Sequence, residues 1–472
     1  MPFIGRVEEL QSLKALQGKP SSSLVVITGR RRIGKSTLVG EFSKDFKHYY
    51  EFQGMAPRQG LANEDQLKSF AEQSKEIFGQ AEPVLNNWTE AFSYLASSIS
   101  GKKSALLFID EISWMARYDK DFVGKLKIAW DTKFSRIPGL VLVLCGSVSS
   151  WIEDNILQET DFVGRVSLTV RLSELDLKDS LDFWGERGKR ISLKEKLAYL
   201  NVVGGVPKYL EEYNPKESTN ANILRLCFKK GGYLFEDFDK IFSDIFERKS
   251  ETYKKIVRLL AHKHLSPVEV AKKLKVGQSG ELTKCLRDLE LSGFVKRDYA
   301  YQPGGKKGRL SKLRISDNYL RFYLKYIEPN ITAINSGIYS FNSLGDLLAW
   351  DTISGLQFEN LLLNRIPEVI KMLGLEREII KSASTFFQNR TKKSKAAQVD
   401  LLIECKPNNF YICEIKYRKK IGLNVVDEVR GKIEKLRLPK YSTRRPVLIY
   451  SGELDQEVRD LDYFDRIVEV GE

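Results

Sequence analysis

Three short stretches in the first third of the chain, Ser23–Thr28, Ala105–Ile109 and Leu140–Leu144, are almost continuously apolar. Runs this short that do not alternate predict strands buried on both faces of a parallel sheet. Helical spacing lies between them, as in Ser36–Lys44. A strand–helix–strand rhythm predicts a doubly wound α/β domain over residues 1–175. Residues 176–245 carry helical patterns interrupted by Gly204-Gly205-Val206-Pro207. From about 250 to 330, three short helical patterns precede a Gly/Lys-rich turn with strand-like flanks. Residues 351–472 read as helix, three strands, helix and strand, a second and smaller α/β unit. There is no internal repeat and no long low-complexity segment.

Gly29-Arg30-Arg31-Arg32-Ile33-Gly34-Lys35-Ser36 is a complete G-x-x-x-x-G-K-[ST] motif between a predicted strand and a predicted helix. The glycines let the loop curl so that backbone N–H groups face phosphate oxygens, and the helix N-terminus adds positive potential. Lys35 is expected to reach the β- and γ-phosphates of ATP and Ser36 to offer a hydroxyl to Mg²⁺, with Thr37 continuing the helix. Leu106-Leu107-Phe108-Ile109-Asp110-Glu111 is the matching Walker B strand. Asp110 is expected in the Mg²⁺ sphere and Glu111 beside the attacking water. The third strand ends at Cys145-Gly146-Ser147, where Ser147 can contact the γ-phosphate or the water. Arg165, after Gly164, reads as an arginine finger, a subunit-contact residue or an ordinary surface Arg.

These motifs together resemble the archaeal-type branch of the AAA-like and STAND ATPases. Phe3-Ile4-Gly5-Arg6 with Glu8-Glu9-Leu10 matches the opening box of that family. The P-loop, Asp110-Glu111, Gly146-Ser147, Gly164-Arg165 and Gly204-Gly205-Val206-Pro207-Lys208-Tyr209 follow in family order. The resemblance covers the N-terminal half. It implies a helical lid over residues 176–245 near the nucleotide and a slow, switch-like ATPase, and it leaves self-association open.

In the middle, Tyr253–His262 has helical spacing, and Ser266-Pro267 starts a second helix with a capping Ser and a Pro in the first turn. Leu282–Leu291 predicts a third helix, with Lys284 and Arg287 on its polar side. Phe294–Arg297 and Leu313–Ile315 flank Pro303-Gly304-Gly305-Lys306-Lys307-Gly308-Arg309. Three helices and a basic hairpin predict a winged helix-turn-helix over residues 246–335, with Lys306, Lys307 and Arg309 toward phosphate. A winged helix used only for protein packing is the competing reading. Ser316-Asp317-Asn318-Tyr319-Leu320-Arg321-Phe322 resembles the segment that follows this module in the same family.

Near the C-terminus, Gln398–Ile403 reads as a strand, and after a short turn Phe410–Lys416 reads as another. In a hairpin Asp400 and Glu414 approach each other, and Glu414 and Lys416, two apart, share a face. This D…ExK arrangement resembles the restriction-endonuclease-like, or PD-(D/E)xK, superfamily over residues 345–472. The resemblance implies a Mg²⁺ or Mn²⁺ ion held by Asp400 and Glu414, Lys416 acting on the reacting phosphate and water, and Glu359 as an added helix carboxylate. Gln398 stands where many such nucleases carry another acid. A degenerate fold that binds without cutting is the alternative.

Charge changes the picture in one respect: 76 Lys and Arg against 62 Asp and Glu give +14, which favours a polyanionic partner, DNA first. Five Cys without metal-ligand spacing predict buried free thiols. Three His, at 48, 262 and 264, argue against a His-based catalytic centre or zinc site. The N-terminus lacks an apolar signal core, and no apolar run approaches the roughly 20 residues of a membrane span. The expectation is a cytoplasmic ATP-binding and hydrolysing switch that binds DNA and cuts it through a metal-dependent domain. The alternative is an ATP-controlled DNA- or protein-binding regulator with an inert nuclease fold.

Overall fold

The computed structural model describes residues 3–147, 149–159, 162–246, 250–277, 279–301, 308, 310–388 and 396–471. Two compact units account for them. The first comprises Met1–Glu174, Lys240–Ser250 and Arg287–Gly293; the second comprises Leu175–Asp239, Glu251–Leu286 and Phe294–Glu472.

The first unit is built on five strands: β1 (Ser23–Thr28), β2 (His48–Gln53), β3 (Ala105–Asp110), β4 (Val141–Gly146) and β5 (Val166–Arg171). All are parallel, in the order β2-β3-β4-β1-β5. Every residue of β1, β3 and β4 is buried, because helices cover both faces. Leu24 and Val26 pack with Phe52, Leu107 and Leu142 on one face. Val25 and Ile27 pack with Leu38, Phe42, Phe108 and Val143 on the other. Each fully buried side chain of this kind contributes about 1.5–3 kcal/mol. The edge strands β2 and β5, HYYEFQ and VSLTVR, are only partly buried, so they lack the apolar signature that marks the three central ones. Chain order reverses around β1, and in open α/β sheets ligands bind beyond the carboxyl ends of strands at such a point.

Along the chain, helices Ser250–His262, Pro267–Leu274 and Gly280–Leu291 lead into an antiparallel pair, β6 (Val295–Tyr299) and β7 (Ser311–Ile315). The Ser266 cap is a full capping box: the Glu269 carboxylate accepts from the Ser266 N–H at 2.7 Å, and the Ser266 Oγ accepts from the Glu269 N–H at 3.3 Å. Lys306, Lys307 and Arg309, expected in the intervening turn, lie outside the described residues.

The C-terminal part of the second unit is a separate mixed sheet of β8 (Ile380–Gln388), β9 (Ala397–Cys405), β10 (Asn409–Ile421), β11 (Thr443–Leu454) and β12 (Arg466–Glu469). Its order is β12-β11-β10-β9-β8, antiparallel among β8, β9 and β10 and parallel from β10 to β12. Helix Asn424–Lys435 makes the crossover from β10 to β11 and buries Val425, Val426 and Val429 against Leu448 and Tyr450. Helix Trp350–Leu363 packs on β10, with the Phe358 and Tyr417 rings 5.1 Å apart.

All five cysteines are buried, and none is joined in a disulfide. The β9–β10 register sets Cys405 opposite Asn409 and Cys413 opposite Leu401, so the two do not face each other. Among the described residues, no helix is long and apolar enough to cross a membrane.

Candidate functional site

The P-loop leaves β1 and turns into helix Lys35–Ser43 through Gly34, whose φ of 89° belongs to the left-handed region that glycine tolerates. Arg32 takes φ 69°, an uncommon value for a side-chain-bearing residue and one that curls the loop further. A side chain at Gly29 would meet the Leu172 carbonyl at 2.7 Å, so the loop can lie this close to the chain after β5 only with glycine. Lys35 is buried, with Nζ 2.9 Å from the Gly29 carbonyl and 3.1 Å from the Arg30 carbonyl. Arg30 pairs with Glu174 at 2.9 Å. Arg6, from the opening box, is also buried; it donates to the Ile33 carbonyl at 3.3 Å and to the Ser173 carbonyl. The N-terminal segment thereby holds the loop from behind.

Two carboxylates at the end of β3 meet this loop and β4. Asp110 Oδ2 accepts from Ser36 Oγ at 2.7 Å, and Oδ1 accepts from the Glu111 N–H at 2.8 Å. Ser36 and Asp110 together are an oxygen-donor pair suited to Mg²⁺, a hard cation. Glu111 sits at φ 50°, and its Oε2 accepts from both the N–H and the Oγ of Ser147, at 3.0 and 2.9 Å. Burial pushes the Glu111 carboxyl above its usual range; nearby Lys35 pulls the other way. Gly54, just after β2, is a residue that sequence reasoning misses. Its N–H donates to the Asp110 carbonyl at 3.0 Å, and a side chain there would meet the Glu111 carbonyl at 2.6 Å. A lone glycine after a weakly apolar strand is the available signal.

Arg165 makes a bidentate ion pair with Asp131, at 2.7 and 3.0 Å. That pair engages it with helix Phe122–Thr132. In the Gly-Gly-x-Pro element, Gly205 accepts from the Leu175 N–H at 2.9 Å. The Leu175 carbonyl accepts from Arg365 Nε at 2.7 Å, and Glu368 accepts from the N–H groups of Leu177 and Lys178 at 2.7 and 2.9 Å.

On the mixed sheet, β9 and β10 are paired up to Cys413 and Leu401, one residue short of Glu414 and Asp400. Asp400 Oδ2 accepts from the Ile415 N–H at 2.9 Å. Glu414 is almost wholly buried, and Lys416 Nζ lies 2.7 Å from its Oε1. Lys432, from helix Asn424–Lys435, donates to both Glu414 oxygens, at 2.7 and 2.6 Å. Glu428, one turn earlier, lies 2.9 Å from Lys416 and 3.4 Å from Lys432. Burial, with Glu359 adding to it, pushes Asp400 up to about 6, and Glu414 is raised by burial and by Asp400. Glu359 is likewise raised by burial, with Arg314 and Arg321 opposing. Asp400 and Glu414 offer the hard oxygen donors that Mg²⁺ or Mn²⁺ prefers. Among the described residues, no three His, Cys, Asp or Glu are grouped closely enough to hold a metal as they stand. Lys432 and Glu428 escape sequence reasoning individually. Their signal is an i, i+4 pair on the amphipathic helix after the ExK strand.

Residues 3–213 match the family described as an ATPase domain predominantly from Archaea. An uncharacterised protein of Methanocaldococcus jannaschii is 25% identical over 389 residues, covering 80% of each chain. Among solved structures, a Walker-type ATPase of Pyrococcus abyssi is similar over 68% of this chain and 96% of its own, at 17% identity and a TM-score of 0.48. The ORC2 protein of Aeropyrum pernix covers 72% of this chain and 97% of its own, at 14% identity and a TM-score of 0.41. The P-loop between β1 and its helix, with Asp110 bonded to Ser36 beside it, accords with that match: residues 3–213 are similar to an archaeal ATPase domain, and the chain is an ATPase.

Proposed function

We propose that this ATPase is a switch protein that binds DNA and cleaves it through a metal-dependent C-terminal domain. In this reading residues 1–175 are the nucleotide core, 176–245 a helical lid, 246–335 a winged helix and 345–472 a domain of the PD-(D/E)xK kind. Lys35 neutralises the β- and γ-phosphates, and Ser36 and Asp110 hold Mg²⁺. Glu111 takes up the proton of the attacking water, with Ser147 orienting its carboxylate. Arg165 serves a neighbouring copy of the chain only when it leaves Asp131. The net charge of +14 favours a polyanion.

The observation that carries the cleavage reading is the juxtaposition of Asp400 on β9 and Glu414 on β10, with Lys416 two residues further and 2.7 Å from Glu414. Asp400 and Glu414 would hold Mg²⁺ or Mn²⁺, which supplies Lewis-acid activation of water and phosphate when bound. Glu359 adds negative charge from its helix. Lys416 orients the attacking water and offsets charge on the phosphate. The test is full-length protein with plasmid, linear and single-stranded DNA, with Mg²⁺ or Mn²⁺ and with or without ATP. Cleavage that Asp400→Ala abolishes, while ATP hydrolysis persists, supports the reading. No cleavage under any combination, together with no Asp400-dependent metal binding, replaces it with the regulator. That second reading draws on one observation, the two lysines already seated on Glu414.

A further inference from the structure

Glu414 is neutralised twice over. Lys416 belongs to its own strand and reaches one oxygen, Oε1, at 2.7 Å. Lys432 comes from the crossover helix and spans both oxygens, at 2.7 and 2.6 Å. A side-on position bridging the two oxygens of one carboxylate is where a bidentate cation binds. Asp400 lies within electrostatic reach of the same ammonium. The Lys432 side chain is 23% exposed while that of Glu414 is 2% exposed, so the lysine enters from the solvent side and has a way out. A second acceptor is also at hand: Glu428, four residues back on the same helix, is 3.4 Å from Lys432 and 37% exposed.

We infer that Lys432 is a built-in counter-ion at the cation position of the C-terminal site, and that a divalent metal enters only by displacing it from Glu414 toward Glu428. The inference rests on the metal-dependent reading above and adds its regulation. Lys416 is the more enclosed of the two, 9% exposed, and keeps its contact with Glu414; Lys432, 23% exposed at the helix surface, has Glu428 one turn back to receive it. The ammonium holds the buried carboxylates together without metal and makes the site selective for conditions that supply a competing cation. Its removal leaves Lys416 to offset both Asp400 and Glu414, which raises the affinity for any hard cation.

The experiment is Mn²⁺ titration by calorimetry of the full-length, nucleotide-free protein, with Asp400→Ala as the background that accounts for metal bound elsewhere. Lys432→Met keeps the length of the stem and removes the charge. It is expected to bind Mn²⁺ at the Asp400-dependent site at least roughly tenfold more tightly than the parent, about 1.4 kcal/mol. Lys432→Gln, which keeps a hydrogen-bond donor and secures the test where the Met variant folds poorly, is expected to show the same gain. Lys432→Arg is expected to show none. Mn²⁺ should also raise the melting temperature of Lys432→Met more than that of the parent. Unchanged or weaker binding in the Met and Gln variants, with Asp400→Ala still losing the site, overturns the counter-ion role and leaves the metal-dependent reading standing. An equal gain in Lys432→Arg overturns it too, since the charge is then irrelevant. No Asp400-dependent Mn²⁺ in the parent or in any Lys432 variant overturns the metal reading and this inference with it.

Discussion

One oxygen of Glu111 joins β3 to β4: Oε2 accepts at once from the N–H of Ser147, at 3.0 Å, and from its hydroxyl, at 2.9 Å. The carboxylate is thus aimed by the end of the neighbouring strand, and burial makes it a stronger base than a surface glutamate. Glu111→Gln keeps the shape but not the basicity. Hydrolysis is expected to fall by roughly 10²–10⁴-fold. Nucleotide affinity, measured by calorimetry, is expected to stay close to that of the parent. A variant that turns over ATP at the parental rate removes Glu111 from this role.

Lys35 is a buried cation within the P-loop, held by two loop carbonyls. Lys35→Ala is expected to abolish high-affinity ATP binding while leaving the fold intact, because its ammonium serves the loop rather than the apolar core. Calorimetry reads the binding and circular dichroism the fold. Retained affinity would refute the assignment.

The basic segment between β6 and β7 in the sequence is tested by charge alone. Replacing Lys306, Lys307 and Arg309 with Ala is expected to weaken DNA binding. It should also flatten the plot of log affinity against log salt by roughly one unit of slope for each phosphate left without its cation. A slope identical to that of the parent sinks the phosphate role and favours a protein-facing hairpin.

The central strands are legible because burial on both faces leaves a run of apolar residues, as in Leu24–Ile27 and Ala105–Ile109. The edge strands β2 and β5 are not, since a half-covered strand tolerates Glu51, Gln53 and Ser167. The P-loop and the Asp110-Glu111 pair are local in sequence and can be read residue by residue. The helical stretch around Gly204 is visible, but not its tie to Arg365 and Glu368, because a hydrogen bond across about 190 residues leaves no local pattern. The same holds for Lys432. An ExK on one strand can be read, whereas the arrival of a third charge from the next helix depends on how the crossover packs. On the mixed sheet the short helix Gln456–Asp460 and strand β12 escape reading for lack of length.

Gly205 has no room for a side chain: a Cβ would lie 2.8 Å from the Leu175 carbonyl and the same distance from Ser180 Oγ, and would collide with the Arg365 guanidinium. Gly205→Ala is expected to destabilise the protein by about 1–3 kcal/mol, the usual cost of overpacking. Thermal denaturation reads it, and a melting temperature equal to that of the parent counts against the close approach.

His264 sets an acid limit. Burial, with Arg321, Arg314 and Lys312 adding to it, lowers its pKa to about 4 from an ordinary 6.5. The unfolded chain therefore binds the proton first as pH falls. The stabilisation is fully present above 6.5 and is lost as pH falls through about 4, by roughly 3 kcal/mol in all. His264→Gln should flatten the dependence of stability on pH across that window. Parallel curves for parent and variant would show that His264 is not the group responsible.

The bonds from Arg365 to Leu175 and from Glu368 to Leu177 and Lys178 bear on how this architecture can be recombined. A cut near residue 345 looks natural from sequence, since a new α/β rhythm starts there. Such a cut strips the partners from a carbonyl and two amides far upstream, and leaves a hollow beside Gly205 where Arg365 packs. The stretch that begins at Leu175 and the helices that lead into the mixed sheet are therefore one inheritable block. A chimera that keeps them together preserves the joint, and one that exchanges the terminal sheet alone must bring its own Arg and Glu to the same two places.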